Sequence, residues 1–282
     1  MIEKVIKINA FLYKNGKSKV FGKIYKRIIL APLFFLTGKI NLRVFLLILG
    51  LSTQKLIKFC NLNSTFNHIF LTDQYHAKDF IKDGDTIIDA GANIGLFSLL
   101  ASQLSPAGKI IAFEPVERTC SVFHKIIGKK PNITLEKLAL GDENMLTLIS
   151  KSNEFSVSNS IIGTSFNRKM KDSYAEREEI EVVKLDDYVR EKGIKRVDFI
   201  KIDVEGYEKK VLLGAAKIIA KFLPVISISA YHNTSDKVQI PRIVKNISSK
   251  YRYFLSSRSE EDFIFYPDCQ KHKKIEIDGK RG

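Results

Sequence analysis

The stretch DAGANIG, Asp89 to Gly95, constrains this chain more than any other. It follows the apolar run Thr86-Ile87-Ile88 and precedes Leu96-Phe97-Ser98-Leu99-Leu100. Gly91 and Gly95 let the backbone turn sharply and approach a ligand without a Cβ in the way. A strand leading through such a turn into a helix is the opening unit of a doubly wound sheet, whose ligands bind at the carboxyl ends of its strands. The helix N-terminus adds free N–H groups at that spot. A pyrophosphate fingerprint would read GxGxxG, but here Asn93 stands in place of the second glycine. Asp89, directly before the turn, would repel a pyrophosphate and favour an ammonium or a sulfonium.

The pattern continues along the chain. After the strand Thr86 to Ala90, a helix is expected from Ile94 to Leu104, then a strand over Lys109 to Phe113 followed by Glu114-Pro115. A second helix over Val116 to Ile127 and a third strand over Ile133 to Leu140 complete a β-α-β-α-β unit. Residues 151 to 175 are rich in Ser, Asn and Lys without a period, and read as a functional or mobile loop. Glu179 to Val183 alternates like an edge strand, and Asp186 is expected to cap a short helix over Asp187 to Lys192. A buried strand from Val197 to Val204 ends near Asp203, and a helix follows from Gly206 to Ala220. The strand Pro224 to Ala230 leads into Tyr231-His232. A helix over Val238 to Ser249 and an antiparallel hairpin, Tyr251 to Ser256 with Phe263 to Tyr266, close the domain.

Glu114 narrows the ligand. A carboxylate ending the neighbouring strand can accept both hydroxyls of a ribose. A ligand with a ribose, a cationic amino acid part and no phosphate is S-adenosylmethionine. With Asp89 to Gly95, Phe113-Glu114-Pro115 and Lys201 to Glu208 (KIDVEGYE) in this order, the chain resembles the FkbM-type family of S-adenosylmethionine-dependent methyltransferases. Asp83-Gly84-Asp85, Leu185-Asp186-Asp187 and Tyr231-His232, with Asp236 and Ile240-Pro241 behind, also fit it. The resemblance covers about residues 80 to 267. It implies an α/β, Rossmann-like class I fold: a doubly wound, mostly parallel seven-stranded sheet with an antiparallel final strand. It also implies methyl transfer, usually to a hydroxyl of a sugar, polyketide or other secondary metabolite. Carried over residue by residue, Asp89, Gly91, Asn93 and Gly95 line the amino acid end of the cofactor, Glu114 holds the ribose, and Asp142 sits near the adenine amine.

The acceptor side is read from strand ends. Asp203, Glu205 and His232 lie where three polar side chains could converge on one acceptor hydroxyl. His232 is the first choice of general base, because an unperturbed imidazole titrates near neutrality. Asp203 would orient it or bind substrate. The same three residues could hold a hard cation such as Mg²⁺, which would acidify the hydroxyl. Glu205 has an alternative reading as a cap for the helix expected from Gly206. Tyr75 and His76 are candidates to close over the cofactor, His124 reads as incidental, and the role of Lys201 is left open. The rival functions are an NAD-dependent oxidoreductase, disfavoured by the missing GxGxxG, and a non-catalytic module on a methyltransferase fold.

Charge divides the chain. The net charge is +15, and residues 1 to 70 carry twelve Lys/Arg against one acid, Glu3, hence +11, leaving +4 for the rest. Ile28 to Leu36 and Val44 to Leu51 are apolar runs, each under half the roughly 20 residues a spanning helix needs. The expected organisation is a basic, apolar helical extension over 1–70, a methyltransferase domain over 71–267 and a basic, frayed tail over 268–282. The extension reads either as a helical cap on the domain or as a segment that contacts anionic membrane peripherally. It is too apolar for a nucleic-acid arm. Cys60, Cys120 and Cys269 are far apart and show no CxxC spacing, which suggests a reducing compartment and no structural zinc. With no cleavable signal evident, the expected location is cytoplasmic, with membrane contact at the inner face.

Overall fold

The computed structural model describes residues 65–151, 160–161, 176–258 and 260–268. The expected helical extension and frayed tail fall almost wholly outside these residues, as does most of the 151–175 loop. The described residues belong to one unit, Ser64–Gly282. Its entry is a π-helical turn, Asn67–Leu71, where Ile69 and Phe70 are buried. Phe66 is buried as well, so packed residues precede position 71.

The main sheet has seven strands: β1 (Thr86–Ala90), β2 (Lys109–Phe113), β3 (Ile133–Glu136), β8 (Phe199–Ile202), β9 (Val225–Ser229), β10 (Tyr251–Ser256) and β11 (Asp262–Pro267), in the order β10-β11-β9-β8-β1-β2-β3. Strands β3, β2, β1, β8 and β9 run parallel, and β11 is antiparallel to both its neighbours, β9 and β10. This is the Rossmann-like class I arrangement with the expected antiparallel final strand. The central strands are short, continuous apolar runs because helices cover both faces. On one face Ile88, Ile111, Ile200, Ile202 and Ile226 pack with Leu185, Val211, Leu212, Ile219 and Val244, from α4 (Leu185–Glu191), α5 (Glu208–Gly214), α6 (Ala216–Phe222) and α7 (Asp236–Ile247). Phe199, on the opposite face, stacks on Phe97 of α2 (Leu96–Leu104), their ring centroids 6.0 Å apart.

Several expectations are corrected. The third strand is two: β3 stays in the main sheet, whereas β4 (Ala139–Leu140) joins a second sheet of order β4-β7-β5-β6, with β5 (Met145–Lys151), β6 (Ser160–Ile161) and β7 (Glu176–Val183). Strand β7 is therefore interior, between β4 and β5, not an edge. This sheet buries Ala139, Ile149, Ile180 and Val182 with Val116, and Tyr207 packs against the same cluster. It thus stands beside the strand-end loops after β2 and β8. The helix expected over 206–220 breaks at Ala215 into α5 and α6. Asp186 caps a helix other than its own: its carboxylate accepts from the N–H groups of Lys217 (3.0 Å) and Ile218 (2.9 Å), in the first turn of α6. Helix α3 (Glu117–Ile127) and the single turn α1 (Ala77–Phe80) complete the unit. No helix among the described residues is long and apolar enough to cross a membrane.

Candidate active site

The turn after β1 is built around left-handed residues: Gly91 (φ +75°), Asn93 (φ +50°) and Gly95 (φ +88°). Asparagine tolerates this region better than most side chains, which explains Asn93 where a glycine would also serve. The two glycines answer to neighbours within the chain. A Cβ on Gly91 would lie 1.9 Å from the Asp203 carbonyl oxygen, and one on Gly95 would lie 2.6 Å from the Phe123 ring. The turn is stitched to the end of β2 by N–H groups of Gly91 (3.1 Å) and Ala92 (2.9 Å), both donating to the Phe113 carbonyl.

Glu114 extends this brace. Its Oε2 accepts from the Asn93 N–H (3.0 Å) and its Oε1 from the Val116 N–H (3.1 Å). Burial pushes its carboxyl up to about 7, against those two hydrogen bonds and the Lys201 ammonium, which pull it down. Glu114 thus faces the glycine turn at the end of β2, the position expected of a ribose acceptor.

Asp89 behaves differently from the expectation. It is fully buried and does not present a carboxylate to an outside cation. Ser98 Oγ donates to its Oδ2 (2.6 Å), and the cation it meets is Lys201, whose Nζ lies 3.2 Å from Oδ1. Parallel pairing of β1 with β8 sets Lys201 directly beside Asp89. The same ammonium donates to the carbonyls of Ala90 (3.2 Å) and Gly91 (2.7 Å), so it fixes the glycine turn from beneath. Asp142 is engaged by Lys210 Nζ at 2.6 Å, on α5. Its described partner is thus a protein cation rather than a group of the β1–β2 cleft.

Beyond β8 and β9, Asp203, Glu205 and His232 do meet. His232 Nε2 lies 3.4 Å from Glu205 Oε2 and 3.8 Å from Asp203 Oδ1. Its Nδ1 lies 2.8 Å from Glu208 Oε1, close enough for charge attraction but off the line of a hydrogen bond. Tyr75 Oη donates to Asp203 Oδ2 (2.7 Å), and Tyr231 Oη reaches Asp203 Oδ1 (3.5 Å). Burial raises the Asp203 carboxyl, but Lys201, His232 and the Tyr75 hydroxyl outweigh it and hold the group below its usual range. Burial also lifts Glu205. For His232, burial alone would lower the imidazole, yet Glu205, Glu208 and Asp203 around it lift it to about 11. Its surroundings thus favour the protonated form of the imidazole. The expectation of an unperturbed imidazole is therefore corrected: His232 sits among Asp203, Glu205 and Glu208, which raise it. Glu205 is not a helix cap either, since α5 starts at Glu208 and Glu205 sits in a left-handed turn (φ +54°) facing His232.

Two participants were missed in the sequence. Glu208 is buried and accepts from the N–H groups of Val204 (3.2 Å) and Gly206 (3.1 Å), bracing the loop after β8. Its signal was its place at the end of KIDVEGYE. Asp262 is fully buried at the start of β11, where burial pushes its carboxyl up to about 7, and Ser229 Oγ donates to it (2.9 Å). No local pattern marks it, because only sheet pairing brings it there. Tyr75 joins the site through Asp203, whereas His76 turns away to Asp79 and Ser256, each at 2.7 Å.

A family model described as the Methyltransferase FkbM domain matches residues 89–262, more than half of the chain. The chain belongs to this family. The motif-based resemblance and the family match therefore agree. Among relatives of this FkbM-family chain is Methyltransferase 1 of Beauveria bassiana, 28% identical over 52% of this chain and 64% of that protein. The 31-O-demethyl-FK506 methyltransferase FkbM of Streptomyces tacrolimicus is 28% identical over 48% of this chain and 60% of that protein. The 2-O-methyltransferase NoeI of Sinorhizobium fredii is 27% identical over 50% and 61% respectively. The matched part thus spans less than two thirds of each of these three proteins. A crystal structure of Methyltransferase FkbM from Methylobacillus flagellatus aligns over 73% of this chain and 54% of that one, at 20% identity and a TM-score of 0.49.

Proposed function

We propose that this FkbM-family chain is an S-adenosylmethionine-dependent O-methyltransferase acting on a hydroxyl of a sugar, glycan or other secondary metabolite. The observation that carries the reading is contiguity. Gly91, in the cofactor turn, lies against the backbone of Asp203, the first residue of the carboxylate–imidazole cluster. A methyl donor held by the turn and an acceptor held by the cluster would be neighbours.

Bound S-adenosylmethionine would supply a sulfonium methyl that an acceptor oxygen displaces in line, releasing S-adenosylhomocysteine. The protein's part is alignment and proton removal. Glu114, braced by Asn93, keeps lone pairs for the two ribose hydroxyls. Asp89 acts indirectly, holding Lys201 against the turn carbonyls. Glu205 is the group we assign to take the acceptor proton, held in place by His232, and Asp203 positions the acceptor. Carboxylates and the tyrosines 75 and 231 line this end, which suits a hydroxyl-rich acceptor and disfavours an anionic one. The names of two relatives, which state O-methylation, support the same chemistry. The greasy, basic residues 1–63 support a peripheral contact with anionic membrane at its inner face, bringing the enzyme to its acceptor.

Transfer of labelled methyl from S-adenosylmethionine to hydroxyl acceptors tests the assignment. Glu205→Gln should lower kcat by about 10²–10⁴-fold while leaving S-adenosylhomocysteine affinity intact. Unchanged turnover in that variant removes Glu205 from the proton path.

A further inference from the structure

Asp203 follows β8, Glu208 opens α5 and His232 follows β9, yet one ligand-type atom from each lies within 4.8 Å of the others. We propose that Asp203, Glu208 and His232 form a binding site for a divalent transition-metal cation. Carboxylate oxygens and imidazole nitrogens sit ~2.0–2.2 Å from such an ion, so two on one ion are at most about 4.4 Å apart. A contraction of a few tenths of an ångström completes the site.

Three further observations point to a cation. The His232 side chain is only 5% exposed, and its Nδ1 faces Glu208 Oε1 at 2.8 Å but off the line of a hydrogen bond, so a cation taken by both would displace the imidazole proton. The two carboxylates are oriented from behind, as metal ligands are. The Tyr75 hydroxyl takes one oxygen of Asp203, and the N–H groups of Val204 and Gly206 hold Oε1 of Glu208. Finally, three carboxyl groups, Asp203, Glu205 and Glu208, face one imidazole. The neighbouring ammonium groups make their ion pairs elsewhere, Lys201 with Asp89 and Lys209 with Asp236, although Lys201 also acts on Asp203 through space. The strained, left-handed Glu205 (φ +54°) beside them fits a loop held for function.

The site differs from the set read from the sequence, since Glu208 replaces Glu205, and the imidazole favours Mn²⁺ or Zn²⁺ over Mg²⁺. Cation binding stands independently of the reaction. Its use, lowering the pKa of the acceptor hydroxyl so that Glu205 can take the proton, rests on the O-methyltransferase reading above.

Titration of the metal-stripped full chain with Mn²⁺, followed by electron paramagnetic resonance and competed with Zn²⁺, tests the site. Tight uptake of one ion with nitrogen coupling from an imidazole is expected. His232→Ala and Glu208→Gln should each weaken it at least about ten-fold, and the surface variant Glu117→Gln should not. Glu208→Gln keeps a carbonyl oxygen for the Val204 and Gly206 N–H groups, so a folded test variant exists should His232→Ala fail to fold. No uptake of either ion, or uptake that survives both substitutions, overturns the proposal. Triad-dependent Mn²⁺ uptake in a chain that does not bind S-adenosylhomocysteine upholds the cation site and removes the methyltransferase reading instead.

Discussion

At the scale of single residues, the site works by placing charge where burial makes it expensive. Lys201 is the example beside the glycine turn: a buried ammonium in the middle of an apolar strand, matched to the buried Asp89 on the neighbouring strand. Such a buried pair adds little net stability, and its ammonium holds the Ala90–Gly91 backbone. Glu114 has no such full partner, and burial leaves its carboxyl at about 7, with Lys201, Asp89 and Cys120 the charged or titratable groups around it. Only the ionised form offers all its lone pairs to a ribose. Affinity for S-adenosylhomocysteine is therefore expected to fall about ten-fold from pH 8 to pH 6, measured calorimetrically, and Glu114→Gln should bind weakly with a flat profile. The same displacement has a sign for folding. The native state holds this proton longer than the unfolded chain, so the group's contribution to stability declines as pH rises from 4.5 to about 7, and is level above.

At the scale of elements, short helices survive here because other parts of the chain cap them. Helix α6 has seven residues and begins at a break after Ala215, with no capping side chain of its own. Asp186, from α4, supplies two hydrogen bonds to its first turn. Asp186→Ala should cost about 1 kcal/mol by urea denaturation, with Asp186→Asn losing less. The sequence identifies Asp186 as a cap but not which helix it caps, because the partner lies thirty-one residues away. The same division runs through the whole fold. Strands such as TIIDA and KIIAF declare themselves as apolar runs bounded by turn residues, and both ends are where the pattern puts them. Of the second sheet only part of β7 was legible, since β4 and β6 are two-residue strands defined only by pairing. In the site, Asp203, Glu205 and His232 meet as their strand-end positions imply. What the pattern could not carry was their mutual electrostatics, which raise the His232 imidazole above its ordinary value.

At the scale of the molecule, two chemistries share one chain. The FkbM-family domain carries the strand-end site, and the residues before it carry +11 of the +15 charge. If those residues meet anionic lipid, the full chain should bind phosphatidylserine vesicles, release as salt shortens the Debye length, and lose the binding when residues 1–63 are removed. Salt-insensitive or deletion-insensitive binding would end that proposal. The domain carries the more direct proposal, that the turn of Gly91, Asn93 and Gly95 with Glu114 binds an adenosyl amino acid rather than a dinucleotide. Calorimetric titration of the full chain with S-adenosylhomocysteine, with NAD⁺ as the comparison ligand, is the decisive measurement. The account predicts micromolar binding of S-adenosylhomocysteine and none of NAD⁺. Binding of NAD⁺, or of neither ligand, would contradict it.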